Sequence, residues 1–404
     1  MKIQCFECAR ELPPSSRAYI CPDCGGLLEV EFSASELRAN LKRNPLRGPL
    51  RVWRYKAFLP VFDPKKIISM GEGGTPLISC DRLAKHLGLD KLFVKFEGAN
   101  PTGSFKDRGM TLGVTKAIEF GARVVACAST GNTSSSLAAY AARAGLRCLV
   151  FLPKGKVALG KLVQTLIFGA EVYAIEGNFD KALELIRRVC EENPQVYLLN
   201  SINPFRPQGQ KTLGFEIAEQ LAYKPPDKLV VPMGNCANIW AIYKGFLEFK
   251  AVRLIKSVPA MVGIQAEGAM PIVEAFKKGW NHFEPVENPE TVATAIRIGN
   301  PVNGVKALRA LRESDGIAEA VSDKEILQAQ KLVARLEGIG VEPASAASIA
   351  GLMKLVRSKE IARDDVVVCV ATGHTLKDPE EAISISEPAK TIRGNLRALE
   401  GLVR

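Results

Sequence analysis

The feature that most constrains this chain is a repeated alternation of short, mostly β-branched apolar runs with amphipathic stretches. The runs stand at 123–127, 148–152, 171–175, 196–199, 228–232, 261–265 and 365–370. The amphipathic stretches lie at 132–144, 158–168, 178–192, 208–222, 237–249, 323–336 and 344–357. Runs this apolar have no polar face to leave in water, so both faces of the sheet they form must be covered. The pattern predicts an α/β fold of mostly parallel sheets with helices on both faces. Ligands in such sheets gather beyond the carboxyl ends of the strands, so chemistry is sought in the loops that follow the runs.

Four such loops are unusually polar or glycine-rich. Ser129-Thr130-Gly131-Asn132-Thr133-Ser134-Ser135-Ser136 follows the run at 123–127. It places backbone N–H groups and hydroxyls at one helix start, a setting for a carboxylate or phosphate. One such residue would be an ordinary cap; an unbroken polar string exceeds what capping requires. Met233-Gly234-Asn235-Cys236-Ala237-Asn238 forms a second strand–loop–helix junction. It lacks the GK[ST] of a Walker loop, and alone it reads as a plain turn. Asn200-Ser201-Ile202-Asn203-Pro204-Phe205-Arg206 combines amides, a hydroxyl and a guanidinium that can grip an anion through two N–H groups. Lys156 and Lys161, after the run at 148–152, add positive field near this loop or simply line a solvated helix face. Thr372-Gly373-His374 follows the last run. Thr372 can give a neutral hydrogen bond, and His374, with no Ser or Cys nucleophile motif beside it, reads as structural.

A fifth segment, Gly98-Ala99-Asn100-Pro101-Thr102-Gly103-Ser104-Phe105-Lys106, is a loop ending in Ser104, a good helix N-cap, with Lys106 in the first turn. The positive end of a helix disfavours an ammonium group and lowers its pKa, which suits a neutral nucleophile. Taken singly, Lys106 reads better as a solvated surface lysine.

The first 32 residues stand apart. Cys5-x-x-Cys8 and Cys21-x-x-Cys24 are separated by 12 residues, and glycines follow the second pair. Two residues between cysteines let one tight turn aim both sulfurs at a common centre, so the four residues read as a structural zinc site with no open position for catalysis. The other six cysteines stand singly, three of them in the apolar runs, which suits a reducing compartment and a cytoplasmic location. The net charge of +11 is spread along the chain and aromatics are only 7%, so nucleic acid is a poor partner and an anionic small molecule a better one. No long uncharged apolar run is present, and no membrane association is expected.

Together and in this order, the motifs resemble those of pyridoxal-phosphate (PLP) enzymes of the tryptophan-synthase-β fold type, and among them the threonine synthases. The resemblance runs from Gly71 to Pro379. It rests on GEGGTPL at 71–77, PTGSFKDRG around Lys106, STGNT at 129–133, GNCAN at 234–238, NSINPFRPQGQKT at 200–212 and ATGHTLKDP at 371–379. It implies a two-lobed fold type II α/β architecture, with mostly parallel sheets and helices on both faces, plus a small N-terminal zinc-ribbon-like module. It also implies conversion of O-phospho-L-homoserine and water into L-threonine and phosphate. In that reading Lys106 carries PLP as an imine, Asn132 meets the cofactor's phenolic oxygen, and Gly234, Asn235, Cys236, Ala237 and Asn238 hold its phosphate. Thr372 faces the pyridine nitrogen. Thr133, Asn200, Ser201, Arg206 and Lys156 hold the substrate's phosphate, and Cys5, Cys8, Cys21 and Cys24 hold zinc. A homodimer is implied by the fold type.

Two features depart from the family pattern. Ala237 replaces a glycine, which costs on the order of 1 kcal/mol if that position needs positive φ. Pro207-Gln208 replaces a commoner Leu-Glu pair, which leaves the substrate open. Cysteate synthase acting on phosphoserine, threonine or serine dehydratase, and a zinc-ribbon binding protein remain alternatives. The expected organisation is a ribbon at 1–32, a proline-interrupted connector at 33–67, and a catalytic region at 68–385 whose smaller lobe spans about 100–200. A tail follows at 386–404.

Overall fold

The computed structural model describes residues 1–153, 159–176, 179–389 and 391. Strands β1 (Lys2–Cys5), β2 (Glu11–Leu12) and β3 (Leu28–Glu31) make an antiparallel N-terminal sheet of order β2-β1-β3. After β4 (Leu77–Ser79) and β5 (Lys91–Phe96) come β6 (Val124–Ala128), β7 (Arg147–Pro153), β8 (Glu171–Ile175) and β9 (Val196–Leu198). These last four form a wholly parallel sheet of order β8-β7-β6-β9. The chain then adds β10 (Lys228–Pro232), β11 (Ala260–Ala266), β12 (Ile317–Val321) and β13 (Val366–Ala371). With β5 and β4 they build a six-stranded sheet of order β12-β11-β10-β13-β5-β4, parallel except for the antiparallel edge strand β4.

Both faces of the six-stranded sheet are buried, as the continuous apolar runs require. Leu229, Val231, Val368 and Val370 face one core. Their neighbours Val230, Val367 and Cys369 face the other. The four-stranded sheet has its own core around Val125, Cys127, Val150 and Leu198. All seven runs read from sequence are strands. Within the six-stranded sheet, three strands had no such signal. In β5, Lys91 and Lys95 break the apolar run, yet Lys95 is fully buried. Edge strand β12 carries Glu319 at its centre, paired to Lys277 and Lys354, and β4 is only three residues long.

The stretch at 208–222 is two helices, Arg206–Gln210 and Thr212–Gln220, the first opened by Pro207 in a position that needs no N–H. Residues 33–67 do more than connect. A capping box of Ser33 and Glu36 starts the helix Ala34–Arg43, and Tyr55 and Phe58 enter the larger core. Among the described residues, no helix is long and apolar enough to cross a membrane.

Candidate active site

The loop before Lys106 is fixed by the residue after it. Buried Asp107 accepts from the Thr102 N–H (2.7 Å), the Thr102 hydroxyl (2.6 Å) and the Ser136 hydroxyl (2.6 Å). Burial raises the Asp107 carboxyl to about 6, against the pull of these donors. The same loop lies along the end of β13: Phe105 N–H donates to Thr372 O (2.9 Å), and His374 N–H donates to Gly103 O (2.9 Å). The expected Ser104 cap is corrected. Phe105 occupies the N-cap position, and the buried Ser104 hydroxyl has no partner. Its backbone is instead bridged to Gly373.

Lys106 therefore begins the helix Lys106–Glu119 between β13 and the segment after β9. It is half-buried, with enough protein around its amine to strip much of its hydration. Its Nζ lies 3.9 Å from the centre of the Phe105 ring. Desolvation lowers its pKa to about 7; the charge of Arg206 lowers it further and Glu342 opposes the change. A substantial neutral fraction near pH 7 makes it a competent nucleophile and base.

Arg206 is 3% exposed and has neither an ion pair nor a hydrogen bond among the described residues; its Nε is buried without an acceptor. Desolvation lowers its pKa to about 10. A buried guanidinium without a partner is costly, and a bound anion would relieve that cost. Its short helix packs hard on the Lys106 helix: a Cβ on Gly209 would lie 1.8 Å from Arg108 O.

Asn132 and Thr372 converge on a residue the sequence did not single out. Asn132 Nδ2 donates to both oxygens of buried Glu342 (3.1 and 3.0 Å), and the Thr372 hydroxyl lies 3.5 Å from the same carboxylate. Burial pushes the Glu342 carboxyl above its ordinary range; its bond to Asn132 counters this in part. Ser345 braces the group, 3.0 Å from the Thr372 hydroxyl and accepting from Gly373 N–H (2.8 Å). Glu342 stands just before the helix Pro343–Arg357, where an acidic residue usually serves only the helix dipole, so nothing in the local pattern marked it.

At the end of β10, Cys236 takes the left-handed conformation (φ 65°), and Ala237 is the ordinary first residue of the helix Ala237–Ala251. The strain expected at Ala237 thus falls one residue earlier. Asn238, in the first turn, has both amide atoms buried without partners. Asn303, also missed, ties this loop to the segment after β9: its N–H donates to Asn235 O (3.1 Å) and its Nδ2 to Ser201 O (3.2 Å). Asn200 is engaged with the backbone of Ala128, through Oδ1 and Nδ2 (both 2.8 Å). Thr133 is half-buried beside Asn132. Gln208 turns toward the N-terminal sheet, so that departure bears on packing there. His374 caps a 3-10 turn by accepting from Leu376 N–H (3.1 Å), the structural role expected of it. Lys156 lies outside the described residues.

Thus loops beyond strand ends of both sheets supply a half-buried lysine of lowered pKa, an arginine and a helix-N-terminal amide without partners among the described residues, and a neutral hydroxyl. Residues 68–373 match the family described as "Pyridoxal-phosphate dependent enzyme". The threonine synthase of Methanosarcina acetivorans is 56% identical, over 98% of this chain and 97% of that protein. That of Methanocaldococcus jannaschii is 54% identical, over 99% of both. The chain belongs to the threonine synthase family of PLP-dependent enzymes. As a threonine synthase family member it has the fold of that wider group. It superposes on threonine deaminase isoform 2 of Solanum lycopersicum with a TM-score of 0.67 at 19% identity, over 87% of this chain and 92% of the other.

The residues present fit the family's cofactor. Ser104 and Asn238 keep buried polar atoms in need of partners, and Lys106 has the lowered pKa that joining an aldehyde requires. The N-terminal cysteines also fit a metal in this threonine synthase relative. Their sulfurs all lie within 4.8 Å of one another, with Cys5 and Cys24 at 3.5 Å and Cys8 and Cys21 at 3.6 Å. Four thiolates about 2.3 Å from one zinc would stand about 3.8 Å apart.

Proposed function

We propose that this chain acts as a threonine synthase, releasing phosphate from O-phospho-L-homoserine and adding water to form L-threonine. The observation that carries this reading is Arg206, buried and unpaired within electrostatic reach of Lys106. A dehydratase acting on free threonine or serine has no dianion to place there.

Bound PLP supplies an electron sink conjugated to the substrate's α-carbon. Lys106 would hold that cofactor covalently through its amine, and the same nitrogen, when free, would serve as the base at the substrate's Cα. Its nitrogen takes the Cα proton and next the Cβ proton, while the Cγ–O bond breaks and phosphate leaves with the bonding pair. Water adds at Cβ and loses its proton, and protons carried by Lys106 return to Cγ and Cα. Arg206, with Thr133, Ser201 and Asn200, orients the phosphate; each charge-assisted hydrogen bond contributes roughly 1.5–3 kcal/mol. Backbone N–H groups of 234–238 and the Asn238 amide receive the cofactor's phosphate at a helix N-terminus. Asn132 meets the phenolic oxygen. Thr372 offers the ring nitrogen a neutral hydroxyl, backed by Glu342 that burial drives toward its uncharged form.

Cys5, Cys8, Cys21 and Cys24 hold a structural zinc in a module of residues 1–32. Residues 68–385 carry catalysis, with 33–67 packed between them and 386–404 as a tail. The fold type supports a cytoplasmic homodimer, which sedimentation would test. The deciding experiment is phosphate release from O-phospho-L-homoserine and from O-phosphoserine, with threonine deamination followed in parallel. Release from the first substrate alone, with formation of threonine, is expected; preference for phosphoserine or deamination would overturn the reading.

A further inference from the structure

The segment that carries Arg206 is gripped from outside by the N-terminal sheet. At its start, Leu198 N–H donates to the Tyr19 hydroxyl (2.8 Å), and Arg17 reaches Val196 O (3.5 Å) and Phe120 O (3.4 Å). At its end, Phe205 is 0% exposed and belongs to the apolar core of the ribbon itself, with Ile3, Cys5, Cys21, Leu28 and Val30. One turn on, Gln208 Nε2 donates to Val30 O (3.3 Å), and its Oε1 accepts from Lys211 (2.7 Å). Cys5 and Cys21 are thus at once metal ligands and the floor on which Phe205 rests, and Phe205 is the residue before Arg206.

We propose that the metal-loaded ribbon positions Arg206 for the substrate's phosphate, with Phe205 and Gln208 as the positioning residues. The proposal rests on the reading of Arg206 as the anion clamp. An arginine with no partner among the described residues has nothing there to fix its tip, so its placement depends on where its backbone is held. A sheet of about 30 residues is too small to hold its core without a metal or another staple. Loss of the metal loosens the seat of Phe205, and a guanidinium shifted off its anion forfeits roughly tenfold in affinity, the worth of one charge-assisted hydrogen bond.

The test uses holoenzyme stripped of ribbon metal by a chelator, together with Phe205→Ala, Phe205→Leu and Gln208→Glu, which removes the N–H given to Val30. The readouts are KM and kcat with O-phospho-L-homoserine, competitive inhibition by inorganic phosphate, and the visible absorbance of bound cofactor. Metal removal, F205A and Q208E should raise KM and the phosphate inhibition constant together by roughly tenfold, with kcat within about twofold and the absorbance unchanged. F205L and zinc re-addition should restore most of the affinity. If F205A does not fold, metal removal and Q208E carry the same comparison. Metal loss with KM and phosphate inhibition unchanged overturns the proposal. So does a joint fall in kcat and cofactor absorbance, which would mean general loosening. Arg206→Ala separates the two readings: if it leaves phosphate inhibition unaltered, the clamp is wrong, whatever the ribbon variants do. If it weakens phosphate while the ribbon variants do not, only the ribbon's role is lost.

Discussion

Lys106 and Arg206 are both cations that the surrounding protein disfavours, and each makes a prediction at the scale of a single side chain. Below about pH 7 the Lys106 amine is charged in folded and unfolded chains alike. Between about 7 and its ordinary 10.5, only the unfolded chain holds the proton. Stability from this group therefore rises with pH across that window. Lys106→Met should raise the Tm of cofactor-free protein near pH 6, and the gain should shrink as the pH approaches 10; a pH-independent gain would contradict the lowered pKa. For Arg206→Met, stability and function should move in opposite directions, because the side chain's burial cost is met only when an anion is bound. Thermal melts should show a higher Tm, and KM for the phosphorylated substrate should rise roughly 10- to 100-fold, the loss of one charge-assisted pair. Residues such as Lys106, Arg206 and Thr372 could be singled out because they sit in loops after recognisable strands or in a distinctive lysine motif. Glu342 and Asn303 could not, since a Glu at a helix start and an Asn before a helix are ordinary surface choices. Only the packing of two sheets turns them inward.

At the scale of elements, a buried charge network aligns the helix that starts at Lys106 with the rest of the site. Arg108 pairs with Glu97 (2.6 Å) and Glu216 (2.7 Å), and Lys95 with Glu216 (2.9 Å), all four fully buried. The network joins β5, the Lys106 helix and the helix Thr212–Gln220. Arg108→Met would leave Glu97 without its cation and should cost about 3–5 kcal/mol in urea unfolding. The packing of Arg206–Gln210 on the Lys106 helix is equally intolerant. Gly209→Ala places a methyl group 1.8 Å from a backbone oxygen, so the two helices must part. A loss of about 1–3 kcal/mol, with a rise in KM, is expected from denaturation and steady-state kinetics. This also marks what the sequence could carry. The apolar strands announced themselves by composition and were found within a residue or two. Strand β5 did not, because the pattern counts Lys95 as polar, while in the fold its charge is neutralised by a glutamate more than a hundred residues away.

For the whole molecule, the question is what ties a metal ribbon to a two-sheet catalytic body. Glu29, on β3, is buried between Lys244 (2.8 Å) and Lys306 (3.2 Å) and also accepts from Trp240 Nε1 (2.6 Å). Burial alone would raise its pKa, but the two ammonium groups outweigh that and bring it to about 2. Because the folded value lies below the ordinary 4.5, the stabilisation is complete above about 4.5 and is lost as the pH falls toward 2. Docking should therefore hold through the physiological range and weaken only in acid. Glu29→Gln keeps the size of the side chain but removes its charge, leaving Lys244 with only the partly exposed Glu31 (2.7 Å) and Lys306 without a carboxylate partner. A cost of about 3–5 kcal/mol is expected, concentrated at the junction rather than in the sheets. Hydrogen exchange should accelerate across β1–β3 and spread to the 196–208 segment, while β10, β11 and β13 remain protected. Uniform acceleration through all three sheets would show instead that ribbon and body unfold as one unit, with Glu29 serving global stability rather than a separable contact.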